Sequence, residues 1–257
     1  MDRLNEIRRK KGKKKIIMLT AYDYQIAKIL DEAEIDLILV GDSLGMVILG
    51  YPDTRSVTIQ EMLHHTRIVA KGSKNTPIIG DMPINSYNTV EEALTNAKQF
   101  LEVGAHGVKI EGNKTEVIKA LTDNGIPVMG HIGLLPQTAQ SYRLRGRDAD
   151  EAQRIFDDAT KIDKLNVFSI VLECIPELLS KKITDAVKAP TIGIGAGRYC
   201  DGQVLVINDM LGLDKNAGPK YVKRYANLNE TITKAITKFK EEVLNGDYPD
   251  REHTYHG

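Results

Sequence analysis

Four times along this chain a short run of apolar β-formers ends on an acid. The phrases are LILVGDS with Asp42, PIIGDMP with Asp81, VKIEGN with Glu111 and SIVLECIP with Glu173. Such continuous apolar runs read as strands buried on both faces, the pattern of a parallel sheet covered by helices. Strands of a parallel sheet all point the same way, so acids at their carboxyl ends converge on one rim although they lie far apart in sequence. That convergence constrains both the fold and the place of any chemistry.

Helical patterns alternate with these runs. A first strand is expected over 16–20, and a helix over 23–34 with Ile26, Ala27, Ile29, Leu30 and Ala33 at helical spacing. A long loop over 44–57 leads to a helix opened by the capping pair Thr58 and Glu61. A strand over 77–80 precedes a helix that Thr89 caps with Glu92 and Gly104 ends. Strands at 107–110 and 126–130 flank a helix at 114–122 and the turn Asn124-Gly125. A polar segment rich in Gly and Arg, 134–147, interrupts the rhythm. A helix at 149–164, a strand at 167–172, a helix at 176–187 and a strand at 190–194 resume it. The eighth strand is expected at 203–208, although those residues also suit a helix, and an amphipathic helix at 227–245 closes the chain. Over 257 residues, this alternation favours an α/β architecture closed as a (β/α)8 TIM barrel over an open doubly wound sheet. The expected organisation is one domain, 1–257, with a basic N-terminal segment 1–15 and a closing C-terminal helix.

The 35 basic side chains balance 35 acidic ones, which removes any global electrostatic reason to expect nucleic acid as a partner. The basic run at 8–15, RRKKGKKK, reads as a solvated lead into the first strand. Cys174 and Cys200 form neither a disulfide framework nor a zinc-ligand spacing, and reduced thiols fit a cytoplasmic protein. No apolar run approaches the roughly 20 residues that span a bilayer, so no membrane association is expected.

The predicted rim collects Thr20, Tyr22, Asp42, Ser43, Asp81, Lys109, Glu111, His131, Glu173 and the Gly195-Ala196-Gly197 loop. Four carboxylates on one rim repel one another unless protons or cations offset the charge. Carboxylate oxygens completed by water or substrate suit a hard ion such as Mg²⁺, whereas zinc calls for His and Cys. Asp42, Asp81 and Glu111 come from neighbouring strands and are the metal-ligand candidates. Lys109 lies one layer below Glu111 on the same face, placed to bind a substrate oxyanion or to form a structural ion pair. His131 suits an oxyanion contact or a backbone hydrogen bond. Glu173 stands on the opposite arc, and the apolar run Ile170 to Leu172 before it gives the surround of a general base. The glycines from Gly193 to Gly197 lack dinucleotide-fingerprint spacing and read as a tight turn.

The stretch LTAYDYQIAKILDEAEIDLILVGDSLGMVILGYPDTRSVTIQEMLHHTRIVAKG, followed in order by IIGDMPINSY, VKIEG, GHIGLLPQ, VLECIP and GIGAGRYCDGQVLVINDMLG, resembles the ketopantoate hydroxymethyltransferase family from Met18 to Tyr225. The resemblance implies a barrel of the phosphoenolpyruvate/pyruvate superfamily and dependence on Mg²⁺. It also implies transfer of a hydroxymethyl group from 5,10-methylenetetrahydrofolate to 2-oxoisovalerate in pantothenate synthesis. By motif, Asp42 and Asp81 match the metal-binding acids, and Glu111 a third acid acting through water. Ser43 and Lys109 match substrate contacts, His131 a site histidine and Glu173 the proposed base. The family forms large subunit rings, often decamers, so the resemblance implies a homo-oligomer. One departure is visible: DMPINSY stands where DMPFGSY-like residues are expected, which changes a loop at Ile84 and Asn85 but no acid.

Two other readings compete. Isocitrate-lyase-like or phosphonate-mutase-like lyases use similar metal acids but usually carry a catalytic cysteine in a lid loop, and 134–147 contains none. A non-enzymatic barrel would leave the rim acids without a metal.

Overall fold

The computed structural model describes residues 2–216 and 218–256, which fall into two compact units, 1–206 and 207–257. The first unit is a closed barrel of eight parallel strands in sequential order. A helix α1 (Asp2–Arg9) precedes β1 (Ile16–Thr20), α2 (Tyr24–Glu32) and β2 (Leu37–Val40). A short α3 (Leu44–Val47) and a 3₁₀ turn (Thr54–Ser56) lead to α4 (Ile59–Gly72) and β3 (Ile78–Asp81). The alternation continues through α5 (Val90–Glu102), β4 (Gly107–Glu111), α6 (Thr115–Asp123) and β5 (Val128–Gly133). It ends with α7 (Ala149–Asp163), β6 (Ser169–Glu173), α8 (Glu177–Ala186), β7 (Thr191–Ile194) and β8 (Gly202–Leu205). β8 closes the barrel on β1, pairing Gly202 with Ile16.

The helix starts follow their local chemistry. Thr58 and Glu61 make a complete capping box on α4, and Thr89 accepts from the Glu92 amide at the start of α5. Where Pro176 was expected to open a helix, it caps α8 from outside. The second unit contains α9 (Ile207–Leu211) and α10 (Leu228–Asn245), and α10 buries none of its residues. No helix among the described residues is long and apolar enough to cross a membrane.

Three expectations need correction. The basic run 8–15 has no buried residue, but the segment ahead of it was not expected to be a helix: α1 buries Leu4 and Ile7 in one cluster with Ile16, Leu37 and Phe168 near the strand starts. Its basic run is tied down, with Lys10 paired to Asp36, Lys11 to Asp201 and Lys15 to the Cys200 carbonyl. The 44–57 loop contains a helical turn, α3, that winds directly from the residue after Asp42. β8 covers Gly202–Leu205 and not 203–208; α9 begins at Ile207, so the end of the expected strand is helical, the alternative those residues also suited.

Strand alternation sets the rim. Met18, Leu39, Ile79, Met129, Val171, Ile192 and Val204 belong to the same apolar cluster as the α1 residues, filling the barrel interior. Side chains two residues further along a strand point the same way. Asp81, His131 and Glu173 therefore stand above Ile79, Met129 and Val171, at the carboxyl-terminal mouth.

Candidate active site

Parallel register brings the rim residues side by side. Asp81 on β3 pairs with Lys109 on β4, Glu111 with His131 on β5, and Gly133 with Glu173 on β6. The Lys109 ammonium donates to both oxygens of Asp81 at 2.7 Å and lies 3.9 Å from Glu111. Of the two readings of Lys109, the ion pair is the one present in this geometry. Burial works against its charged form, but the carboxylates of Asp81, Glu111 and Asp42 outweigh this and raise its pKa.

Asp42 follows β2 and is buried against the next strand; its backbone amide donates to Asp81 at 3.2 Å. Burial first, and then the charge of Asp81, push its carboxyl well above the usual range, against the pull of Lys109. Ser43 receives its partner from the first strand's end, with the Tyr22 and Ser43 hydroxyls 2.8 Å apart. Thr20 is buried at the end of β1.

His131 is enclosed between two acids. Its Nδ1 lies 3.4 Å from Glu111 and its Nε2 3.1 Å from Glu173, although neither approach has hydrogen-bond geometry. Burial and Lys109 disfavour the imidazolium, but the contacts with Glu111 and Glu173 raise the pKa to about 9. Burial also works against ionised Glu111, yet His131, Lys109 and the Gln137 amide bring its pKa below the ordinary value. Glu173 is the most exposed of these acids, with 13% of its side chain open, so it faces the mouth while the others sit deeper.

The donor set fits a hard divalent cation. Asp42 and Asp81 supply carboxylate oxygens, and Mg²⁺ is commonly held by one or two carboxylates with water completing its shell. Glu111 stands one step back, and its buried Oε1 has no hydrogen-bond partner. Among the described residues no group of three His, Cys, Asp or Glu side chains is gathered closely enough to hold a metal together.

The rim includes residues that motif reasoning passed over. Gln137, in the segment after β5, donates from Nε2 to Asp42 and to the Met82 carbonyl, both at 2.9 Å. Its backbone amide donates to Glu111 at 3.2 Å, and the Tyr87 hydroxyl donates to its Oε1. Burial, and then the charge of Glu111, raise the Tyr87 pKa and keep this donor protonated. The Gln closes the motif GHIGLLPQ, so its position was visible, but its partners were not. The departure at INSY is compatible with the backbone: Asn85 adopts φ 66°, where Asn is the best tolerated residue after Gly. The 195–197 loop makes a tight turn whose Gly197 packs on Glu177, where an added Cβ would come within 2.6 Å.

Comparison with known proteins agrees at two levels. Among solved structures, phosphonopyruvate hydrolase in complex with oxalate and Mg²⁺ superposes with a TM-score of 0.65 at 12% identity, covering 98% of this chain and 93% of that one. A 2,3-dimethylmalate lyase of the PEP mutase/isocitrate lyase superfamily gives 0.63 at 14% identity, with 98% and 91% covered. At such identities the likeness establishes the fold. The sequence relatives are far nearer. The 3-methyl-2-oxobutanoate hydroxymethyltransferase of Syntrophus aciditrophicus (strain SB) is 52% identical over 96% of this chain and 93% of its own length. That of Caldicellulosiruptor saccharolyticus is 48% identical, with 96% of each chain covered. The ketopantoate hydroxymethyltransferase family model matches residues 2–251, and the chain belongs to that family.

Proposed function

We propose that this chain transfers a hydroxymethyl group from 5,10-methylenetetrahydrofolate to 2-oxoisovalerate, giving ketopantoate for pantothenate synthesis in the cytoplasm. The observation that carries the reading is the match to relatives named for this reaction, one of them 52% identical over 96% of this chain, together with the family match over residues 2–251. The lyase alternative shares only the fold, and residues 134–147 hold no cysteine.

Asp42 and Asp81 would hold Mg²⁺, which when bound would supply Lewis acidity toward the 2-oxo acid. Glu173, at the open side of the rim, accepts the C3 proton of the substrate. His131 Nε2 lies 3.1 Å from the Glu173 carboxylate and flanks it on the rim. Lys109 places fixed positive charge where negative charge develops on the substrate oxygens, and the Ser43 hydroxyl, anchored by Tyr22, orients a substrate oxygen. Water adds to the one-carbon unit, its carbon–nitrogen bonds to the folate break to release tetrahydrofolate and a formaldehyde-level carbon, and C3 attacks that carbon, whose oxygen becomes the new hydroxyl. The subunits act within a homo-oligomer, a decamer in the family's pattern, which light scattering on the purified protein tests.

The decisive experiment is exchange of the C3 proton of 2-oxoisovalerate in D₂O, with and without Mg²⁺ and without folate. Cation-dependent exchange in the wild type is expected. Absence of exchange at any Mg²⁺ concentration would overturn the reading.

A further inference from the structure

The Gln137 side chain is 1% exposed, yet every polar atom it has is engaged, across partners 26 to 95 residues away. The Met82 carbonyl can only accept, so the amide nitrogen must face it and the amide cannot be flipped. The second amide hydrogen is thereby aimed at Asp42 Oδ2, and Oε1 is left to accept from Tyr87. The same residue's backbone amide takes Glu111 Oε2. One residue thus holds two rim acids, from β2 and β4, in fixed orientation. An apolar side chain would fill this space but leave Asp42 Oδ2 and the Met82 carbonyl without their donor.

We propose that Gln137, oriented by Tyr87, is a positioning residue that presets the Asp42 carboxylate for cation binding. The proposal rests on the reading that Asp42 and Asp81 hold the cation. Ligating carboxylates are themselves hydrogen-bonded, and loss of such partners typically costs about 10–100-fold in metal affinity.

The test is calorimetric titration of the full-length protein with Mg²⁺ alone, alongside thermal melting in EDTA. Gln137→Ala should weaken Mg²⁺ binding about 10–100-fold. Tyr87→Phe, which keeps the ring and removes only the hydroxyl, should weaken it by about fivefold. Saturating Mg²⁺ should restore kcat in both variants, which a purely structural defect would not allow. Wild-type Mg²⁺ affinity in Gln137→Ala would overturn the proposal, as would unrestored kcat. If Gln137→Ala does not fold, Tyr87→Phe decides: unchanged affinity overturns the proposal. Asp42→Ala separates the two levels, because if it binds Mg²⁺ as tightly as the wild type, the cation reading itself fails.

Discussion

At its amino-terminal end the barrel interior is filled by Leu4 and Ile7 of α1 against apolar strand residues. At its carboxyl-terminal mouth, equally buried, it is filled by Asp42, Asp81, Lys109, Glu111 and His131. The first arrangement is cheap, since burying apolar surface is favourable by itself. The second costs desolvation and leaves polar atoms such as Glu111 Oε1 unpartnered. A chain that needed only a stable barrel would close both ends alike. The ionic end is therefore the one kept for chemistry, in line with the division of labour in barrels generally.

Changes at the two ends should separate activity from stability. The largest effect is expected at the mouth: Glu173→Gln should lower the rate of C3 proton exchange by about 10²–10⁴-fold with little change in melting temperature, measured by NMR in D₂O. Exchange at the wild-type rate would remove Glu173 as the base. Next, Lys109→Met strips Asp81 of its buried partner and should destabilise the cation-free protein by about 3–5 kcal/mol, with added Mg²⁺ recovering part of the loss. Denaturation in urea with and without the cation reads this directly.

At the opposite end the signs reverse. Ile7→Ala should cost about 2–5 kcal/mol of stability while the folded fraction retains wild-type kcat. A kcat loss in folded Ile7→Ala would break the comparison. The smallest effect is one of pH. Burial raises the Asp31 carboxyl, but hydrogen bonds from the amides of Thr76, Asn75 and Lys74 and the Ser73 hydroxyl outweigh it and bring the pKa to about 2. A depressed carboxyl stabilises the fold above its unfolded pKa and loses that contribution as pH falls through the folded value. With a discount for solvent screening at this partly exposed site, the loop before β3 should therefore give up about 1 kcal/mol between about pH 4 and 2, and Asp31→Asn should flatten that part of the stability profile.

The ionic end was far more legible in the sequence than the apolar one. Asp42, Asp81, Glu111 and Glu173 each close an unbroken apolar run, so strand direction alone predicts one rim. The caps at Thr58 and Thr89 are local signals and were equally readable. The plug was not, because Leu4 and Ile7 are two apolar residues ahead of seven charges, and only the barrel floor gives them something to pack on. Helix α3 lacks a side-chain cap, and β8 leads into α9 within two residues, so neither boundary has a local marker. Gln137 was invisible as a site residue since an uncharged amide announces nothing until residues 95 positions apart are brought together. His131 was recognisable as a rim residue, but its enclosure by Glu111 and Glu173 depends on pairing across three strands.

The anchoring of the basic run has a consequence for how the chain reaches this state. Lys11 and Asp201 are 190 residues apart, and Ile16 pairs with Gly202 on the strand that completes the ring. Contacts so distant in sequence are slow to form, because loop closure must precede any gain from them. During synthesis Lys10 can meet Asp36 early, but Lys11 and Lys15 find Asp201 and the Cys200 carbonyl, and α1 completes its floor, only once the chain has passed β8. Until then Leu4 and Ile7 lack part of their cover, and a ribosome stalled before residue 202 should present a chain that chaperones hold and proteases cut near its beginning.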